Sequence, residues 1–397
     1  MKNNSKFLEN LRFRSAIINI IVSLGIFLVF IVVTELVLHT THLFGARISW
    51  SEPDTILGYR FVPNSKYWFY KENDHPITGE INSYGWRDKE WALEKPQNTY
   101  RVAVLGDSFV EAFQVESDHT FLSLTEHELN ENYKLKFEFM NFGRSGYTQT
   151  EELLILKNYV MQFSPDMVIL FFFPGNDISD VDRQTASDLM RPFYQISGNK
   201  ELILDTSFVN TRKFKNLLII NRLKHHSALI SLFCERYNYY QQNHMKNEKS
   251  KNTGTEVLQR DKINSHLSLC TAHPDSTHLR NYQLNKMLIK VMSEYCKDEG
   301  IKFILVTVDN DAYIPKFEEQ YKAIDPTFNT NFFEDDLKNY ATSLNIEYLG
   351  LQRMFRQAYE NTGTPLHWGH WNYQGHKLVA NALANKLRSS IIPLGEW

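Results

Sequence analysis

Cysteine is scarce in this chain. Three residues in 397, Cys234, Cys270 and Cys296, are odd in number and widely spaced. That excludes a disulfide framework and gives no metal-ligand spacing; one bridge is permitted outside the cytoplasm, and the sequence does not choose the pair. A dominant charge sign is also lacking. The formal net charge is −3, with no basic stripe, so no nucleic-acid footprint is present. No phosphate loop and no dinucleotide fingerprint occurs, and no cofactor is expected. His225-His226 lies in helix-like sequence and reads as solvated surface, so no metal is expected either. Long apolar runs are missing too, with one exception near the N-terminus.

That exception is the stretch from Ser15 to Thr34, uncharged and rich in Ile, Val, Leu and Phe. A helix of about 20 residues crosses the ~30 Å hydrocarbon core of a bilayer. Lys2, Lys6, Arg12 and Arg14 precede it against a single Glu9, so the positive-inside rule keeps the N-terminus cytoplasmic and exports the remainder of the chain. A cleaved signal peptide has a shorter apolar core of ~7–15 residues and a small-residue cleavage site. Leu43-Phe44-Gly45-Ala46 is a poor one, so an uncleaved anchor is expected. Glu35 stands at the outer end, where a carboxylate either reaches the interface or meets a membrane-protein partner. The expected layout is a cytoplasmic segment 1–15, a transmembrane anchor 16–37, a membrane-proximal extension 38–97 and an α/β domain 98–397.

In that domain strand-like runs at 101–105, 137–141, 167–173, 303–308 and 346–349 alternate with helical patterns at 120–132, 149–163, 282–299, 333–344 and 375–388. Such alternation predicts βαβ units and a parallel sheet covered on both faces: a three-layer α/β/α sandwich with five strands. Residues 167–173 show no polar alternation, as a doubly buried central strand requires. Two stretches are additions. The extension is rich in aromatics, Tyr59, Phe61, Tyr67, Trp68, Phe69 and Tyr70 among them. The second runs from about 178 to 280, far longer than the usual connection of about 2–6 residues, and is expected to form a lid. In it, 214–237 carries Leu217, Ile220, Leu223, Leu229 and Phe233 at helical spacing and should pack on something. Residues 243–255 are polar enough to stay mobile. Tyr237, Tyr239 and Tyr240 either stack on sugar rings or serve as ordinary packing.

Chemistry concentrates in three short segments, each at the end of a predicted strand or the start of a helix. They are Gly106-Asp107-Ser108-Phe109, Gly175-Asn176-Asp177 and His370-Trp371-Asn372-Tyr373-Gln374-Gly375, with Asn141-Phe142-Gly143 between the first two. A serine on the turn after a strand exposes its hydroxyl at the carboxyl edge of an open α/β sheet, where such sheets place their sites. A serine hydroxyl needs a base within hydrogen-bond reach. Acyl transfer also needs donors aimed at the oxyanion, each worth ~10²–10³ in rate. A glycine lets its backbone N–H approach a ligand closely.

In this order the segments resemble the SGNH (GDSL-type) hydrolase family over roughly residue 99 to the C-terminus. The resemblance implies a flavodoxin-like SGNH fold with Ser108 as nucleophile and His370 as base, since His370-x-Asn372-x-x-Gly375 fits the family pattern and His367 and His376 do not. It also implies an oxyanion hole built from the Ser108 and Gly143 amides and the Asn176 side chain. Asn82-Ser83-Tyr84-Gly85-Trp86-Arg87-Asp88 further resembles a stretch in membrane-anchored members from bacterial polysaccharide loci.

The family's acid lies three residues before the catalytic histidine, and here that residue is His367. Three readings compete: a Ser–His dyad held by a carbonyl or water; an acid from elsewhere, with Asp309 and Asp311 at the end of strand 303–308; or a site that binds without turnover. The expected function is that of a membrane-anchored serine esterase or O-acyltransferase on acylated envelope or exopolysaccharide carbohydrate. A lipid or thioester hydrolase, with 214–233 as an acyl groove, and a non-catalytic assembly protein are the alternatives.

Overall fold

The computed structural model describes residues 2–41, 50–198, 201–234, 236, 237, 240, 263 and 265–391. The segments Leu43–Ala46 and 243–255 and the residue Tyr239, singled out above, lie outside the described residues. By contact the chain forms two compact units, one of Met1–Ser49 with Lys215–Val257, the other of Trp50–Phe214 with Leu258–Trp397.

The first unit is built on helix α1, Lys2–Thr41. Its segment Phe13–Thr41 is 29 residues long, and the most apolar 18 residues of it have mean hydropathy 3.0 and are nowhere buried. By length and composition it is able to cross a membrane. Glu35 does not stand alone at its end. Its carboxylate accepts from the Ala228 amide at 2.5 Å, the Leu229 amide at 3.1 Å and the Ser227 hydroxyl at 2.8 Å. One turn further along, Leu38 is buried with Ala228, against Leu229 and Leu232.

The second unit opens with two small antiparallel hairpins, β1 (Ser51–Asp54) with β2 (Gly58–Phe61), and β3 (Lys66–Phe69) with β4 (Ile77–Glu80). Phe61, Tyr67, Ile77 and Ile81 close a cluster around Phe113, bordered by Trp50 and Phe69, whereas Trp68 and Tyr70 are exposed. Arg87 ties the extension to the domain: buried, it donates to the Glu111 and Val115 carbonyls and to the Tyr67 hydroxyl.

The main sheet holds β5 (Thr99–Leu105), β6 (Lys136–Asn141), β7 (Met167–Phe172), β10 (Lys302–Thr307) and β11 (Glu347–Gly350), all parallel, in the order β6-β5-β7-β10-β11. Counted among the sheet's own strands this is 2-1-3-4-5, the flavodoxin-like order expected above. Alternate side chains feed two cores. Ala103, Leu105, Met140, Leu170, Phe172 and Leu305 face one, and Val102, Val104, Phe139, Ile169, Phe171 and Val306 face the other. A strand buried on both faces has no reason to alternate with polar residues, which is why β7 reads as a continuous apolar run.

Helices alternate with the strands: α2 (Ser108–Glu111), α3 (Phe121–Asn132), α4 (Gln149–Ile155), α5 (Asn176–Ser179), α6 (Arg212–His226), α7 (Ser276–Asp298), α8 (Pro315–Ile324), α9 (Phe332–Ser343), α10 (Gln352–Thr362) and α11 (Tyr373–Ile391). The expected helix 149–163 is α-helical only over its first half. It continues as a π turn, Leu156–Val160, and a 3₁₀ turn, Met161–Phe163, ending at Ser164 with φ 50°.

The long insertion is not one body. Its hairpin, β8 (Phe193–Ile196) with β9 (Leu202–Asp205), belongs to the sheet-bearing unit, whereas residues 215–257 group with α1. The apolar positions expected to pack do so only in part. Leu229 borders the Leu38 cluster, yet Ile220, Leu223 and Phe233 are exposed. They belong to the unit of α1 and are not part of the one that carries Ser108. Tyr237 and Tyr240 are likewise exposed there.

Candidate active site

In a 2-1-3-4-5 sheet the chain leaves the first strand to one side and returns to the other, which opens a crevice at the carboxyl ends between strands one and three. Here those strands are β5 and β7, and Ser108 follows β5 directly. The turn is built by its neighbours. A Cβ on Gly106 would stand 2.4 Å from Val110 Cγ2, so no side chain fits. Asp107 caps α2 by accepting the Phe109 amide at 3.0 Å. The helix ends after one turn because Ala112 adopts the left-handed conformation, φ 56°, with its amide on the Ser108 carbonyl. Ser108 is thereby held at the mouth of the crevice.

The histidine loop shows why the pattern His-x-Asn-x-x-Gly has those residues. The Asn372 carboxamide oxygen accepts the Gln374 and Gly375 amides at 3.0 and 3.1 Å and so caps α11. A Cβ on Gly375 would lie 2.5 Å from the Leu366 carbonyl oxygen. Trp371 is wholly buried, its indole donating to Asp309 Oδ1 at 2.9 Å. His376 is buried as well, accepts the Phe121 amide, and is pushed down to about 3 by burial, so it is neutral. Fixed in this way, His370 places Nε2 2.7 Å from Ser108 Oγ.

The carboxylate behind His370 is Glu72, from the loop between β3 and β4. Its Oε1 lies 2.7 Å from His370 Nδ1 and its Oε2 accepts the His370 amide at 2.8 Å. Neither Asp309 nor Asp311 takes this place, and here the sequence-based expectation is corrected. Asp309 is fully buried, with Oδ2 2.8 Å from His367 Nε2 and Oδ1 on the Trp371 indole, so both oxygens are engaged in holding the loop. Asp311 opens a short turn and meets the Tyr321 hydroxyl; burial raises it above the usual carboxylate range. His367, three residues before His370, thus props Asp309, and the carboxylate beside His370 comes from a separate hairpin loop.

Electrostatics agree with the geometry. Burial works against charge on His370, but the hydrogen bond and charge of Glu72, backed by Asp107 and Glu111, raise it above the ordinary histidine value. Glu72 is opposed by burial in the same way and still held below its usual value by His370 and the Gly369 amide. Asp107 is pushed up to about 6 by burial.

The Glu72 loop is latched at both sides. Asn73 donates to the Gln114 carbonyl at 3.1 Å and to the Tyr373 hydroxyl at 3.0 Å. Tyr373 in turn donates to Glu116 at 2.7 Å, and Glu116 also meets His75 Nε2 at 2.9 Å. Burial alone would raise Glu116; the bonds from His75 and Tyr373 hold it at about 2.

Gly143 and Asn176 are both at the carboxyl edge. A Cβ on Gly143 would lie 2.6 Å from the Glu111 nitrogen, which explains the glycine, and its amide donates to Asn141 Oδ1 at 2.8 Å. Asn176 Nδ2 donates to the Tyr147 carbonyl at 2.9 Å. Its turn is held by buried polar contacts, Asn285 to the Asp177 carbonyl at 2.8 Å and Gln149 to Asp177 Oδ2 at 2.8 Å. Asp177 and Glu152 are raised well above the carboxylate range, first by burial and then by neighbouring negative charge, that of Asp107 on both and that of Asp177 on Glu152.

All three cysteines are free, and Cys270 and Cys296 are buried. Among the described residues no group of three or more His, Cys, Asp or Glu side chains could hold a metal ion, His225 and His226 included.

No family model matches the chain, and neither does any curated protein. Similar solved structures include a lipase/acylhydrolase from Enterococcus faecalis, at 12% identity over 75% of this chain and 100% of that one, TM-score 0.38. A GDSL-like lipase from Bacteroides thetaiotaomicron is 13% identical over 73% and 89%, TM-score 0.33. A catalytic mutant of an acetylxylan esterase from Geobacillus stearothermophilus is 13% identical over 72% and 94%, TM-score 0.36. Overlaps this loose carry no argument of their own. The sheet order and the contacts of Ser108 and His370 do.

Proposed function

We propose that the chain is a membrane-anchored serine ester hydrolase or O-acyltransferase acting on acylated carbohydrate. One observation carries the reading: the continuous relay Ser108 Oγ, His370 Nε2, His370 Nδ1, Glu72 Oε1, with contacts of 2.7 and 2.7 Å. A site kept only for binding has no use for a carboxylate that holds an imidazole by both its Nδ1 and its amide. The relay therefore favours turnover over the assembly-protein reading.

In the proposed reaction Ser108 Oγ attacks the acyl carbonyl while its proton passes to His370 Nε2. Glu72 holds the Nδ1–H tautomer and stabilises the imidazolium. The oxyanion is taken by the Ser108 amide and the Asn176 carboxamide; the Gly143 amide joins them by exchanging Asn141 for the oxyanion. Collapse breaks the acyl–oxygen bond, and His370 returns its proton to the leaving alcohol. Water or a sugar hydroxyl then attacks the acyl-enzyme with His370 again as base, giving hydrolysis or transfer.

Carbohydrate is favoured by the resemblance and by Trp368, two residues before His370, which is 43% exposed and held edge-on by Tyr373. An exposed indole on the loop that carries His370 offers a face on which a sugar ring can stack. In the proposed topology α1 spans the membrane with the site on the exported side, as the basic residues before it direct.

The test is release of acetate from a short activated acetyl ester by the full chain in detergent, with Ser108→Ala and His370→Ala alongside. Turnover lost in both supports the reading; turnover equal in all three refutes it.

A further inference from the structure

Helix α6 carries an apolar surface that its own unit leaves open. Leu218, Ile219, Ile220 and Leu223 are 40, 62, 41 and 48% exposed, and Phe233 is 69% exposed. The same helix holds Arg212, Lys213, Lys215, Arg222 and Lys224 and not one carboxylate. Lys215 and Arg222 stand among these apolar side chains, and long cationic side chains interleaved with exposed Leu and Ile can lay their stems along an acyl boundary while their charges reach the headgroups.

The position of this helix within the unit makes the choice of partner. The chain leaves α6 at His226, and the next three residues are the ones bonded to Glu35. Leu38 packs on Ala228 one turn beyond. The end of α6 is therefore fixed to the last turns of the apolar helix Phe13–Thr41, where a span meets the headgroups. A carboxylate at that depth is costly unless satisfied, and three donors from the segment after α6 satisfy it. The pairing places α6 at the interface, and its cations complement anionic lipid.

We propose that α6 and the helical residues 228–234 lie in the bilayer interface on anionic phospholipid, at the level where α1 emerges. The inference rests on reading α1 as a membrane span, and the experiment separates the two. Cysteines introduced one at a time at Ile219, Val29 and Leu93, in a Cys234→Ser background of the full chain that keeps the buried Cys270 and Cys296, are labelled with an environment-sensitive fluorophore, and the background chain alone is the labelling control. The chains are placed in nanodiscs of phosphatidylcholine with phosphatidylglycerol. Quenching is measured with lipid bearing a nitroxide near the headgroup, with lipid bearing one deep in the acyl chain, and with aqueous iodide. Leu93, exposed on the sheet-bearing unit, is the reference.

The expected result is strong quenching at Ile219 by the shallow nitroxide with loss of most iodide quenching relative to Leu93. Replacing phosphatidylglycerol with phosphatidylcholine should partly restore iodide access. Iodide quenching at Ile219 equal to that at Leu93 overturns the proposal. Protection from both iodide and nitroxides overturns it as well, because a protein surface then covers the helix. Absence of deep-nitroxide quenching at Val29 removes the span itself and the inference with it.

Discussion

Replacing Glu72 with Gln tests the site most sharply, because the variant keeps the loop's shape and removes one charge. Wild-type Glu72 accepts from two His370 donors at 2.7 and 2.8 Å. Glutamine has a single acceptor oxygen for them and presents an NH₂ to the other. When that NH₂ faces Nδ1 it stabilises the tautomer with its proton on Nε2, the atom that must receive the Ser108 proton. Loss of the orienting acid in a Ser-His-acid site costs about 10⁴-fold in kcat, or ~5.5 kcal/mol of transition-state stabilisation. Because Glu72 here enters from a hairpin loop and not the histidine's own loop, about 10³- to 10⁴-fold is expected. A second signature accompanies the drop. His370 is raised by Glu72, and catalysis needs it neutral, so the wild-type rate climbs with pH through a value above the ordinary histidine range. Without Glu72 that limb moves to lower pH while the plateau falls. The assay is kcat for acetyl-ester hydrolysis from pH ~5 to ~9, a window that brackets the histidine titration, with burst amplitude to count active sites. Asp309→Asn, which loosens the Trp371 and His367 contacts, should lower stability and leave the limb in place. A plateau within about threefold of wild type in Glu72→Gln, where ~10³-fold was due, refutes the assignment. A limb shift in Asp309→Asn alone refutes it equally.

Gly375→Ala puts a methyl group 2.5 Å from the Leu366 carbonyl, and overpacking of this kind costs about 1–3 kcal/mol, to be read as a lower thermal midpoint with a parallel fall in activity. Asn372→Ala removes the cap of α11 and should cost about 1 kcal/mol in denaturant unfolding. The His75–Glu116 contact latches the Glu72 loop most strongly while both are charged. Glu116 is lowered to about 2 and His75 is raised, so the contact weakens as pH falls from the ordinary Glu range towards 2 and again as pH rises through the raised His75 value. Limited proteolysis at the 70–76 loop should track that window, and His75→Gln should abolish its alkaline edge. Trp368→Ala should leave the rate on a small acetyl ester unchanged and raise KM for an acetylated oligosaccharide, which steady-state kinetics on both substrates would show.

The strands were legible from short runs rich in apolar residues: β7 most clearly, because both its faces are covered, and β6 and β11 less so, because Glu138 interrupts the first and Glu347 opens the half-buried second. Ser108 and His370 were legible because their loops need particular neighbours: Gly106 against Val110, Asn372 as a cap, Gly375 against Leu366. Glu72 was not. It lies 298 residues from its partner in a segment whose aromatics announce packing, and no local spacing marks a lone carboxylate as half of a long-range pair. Asp309 misled for the complementary reason. It stands at a strand's carboxyl end, where sites collect, yet its two oxygens are consumed by His367 and Trp371. The expectation that 214–237 packs on something holds only in part, because periodicity reports apolar positions and is silent on what they face.

The origin of the acid has a consequence for how the protein is cut and controlled. A fragment starting at Thr99 would keep the serine and the histidine but lose Glu72, and with it Trp86 and Trp91 from the main core and the carbonyls of Ala92, Leu93 and Glu94 that buried Arg101 bonds. In the proposed mechanism residues before β5 therefore supply part of the site, and the compact unit beginning at Trp50 already includes them. A protease nick between β3 and β4, or a ligand that prises that hairpin from Tyr373 and Gln114, would switch off ester chemistry without touching the nucleophile. The extension thus carries part of the core and, in the proposed mechanism, one member of the relay.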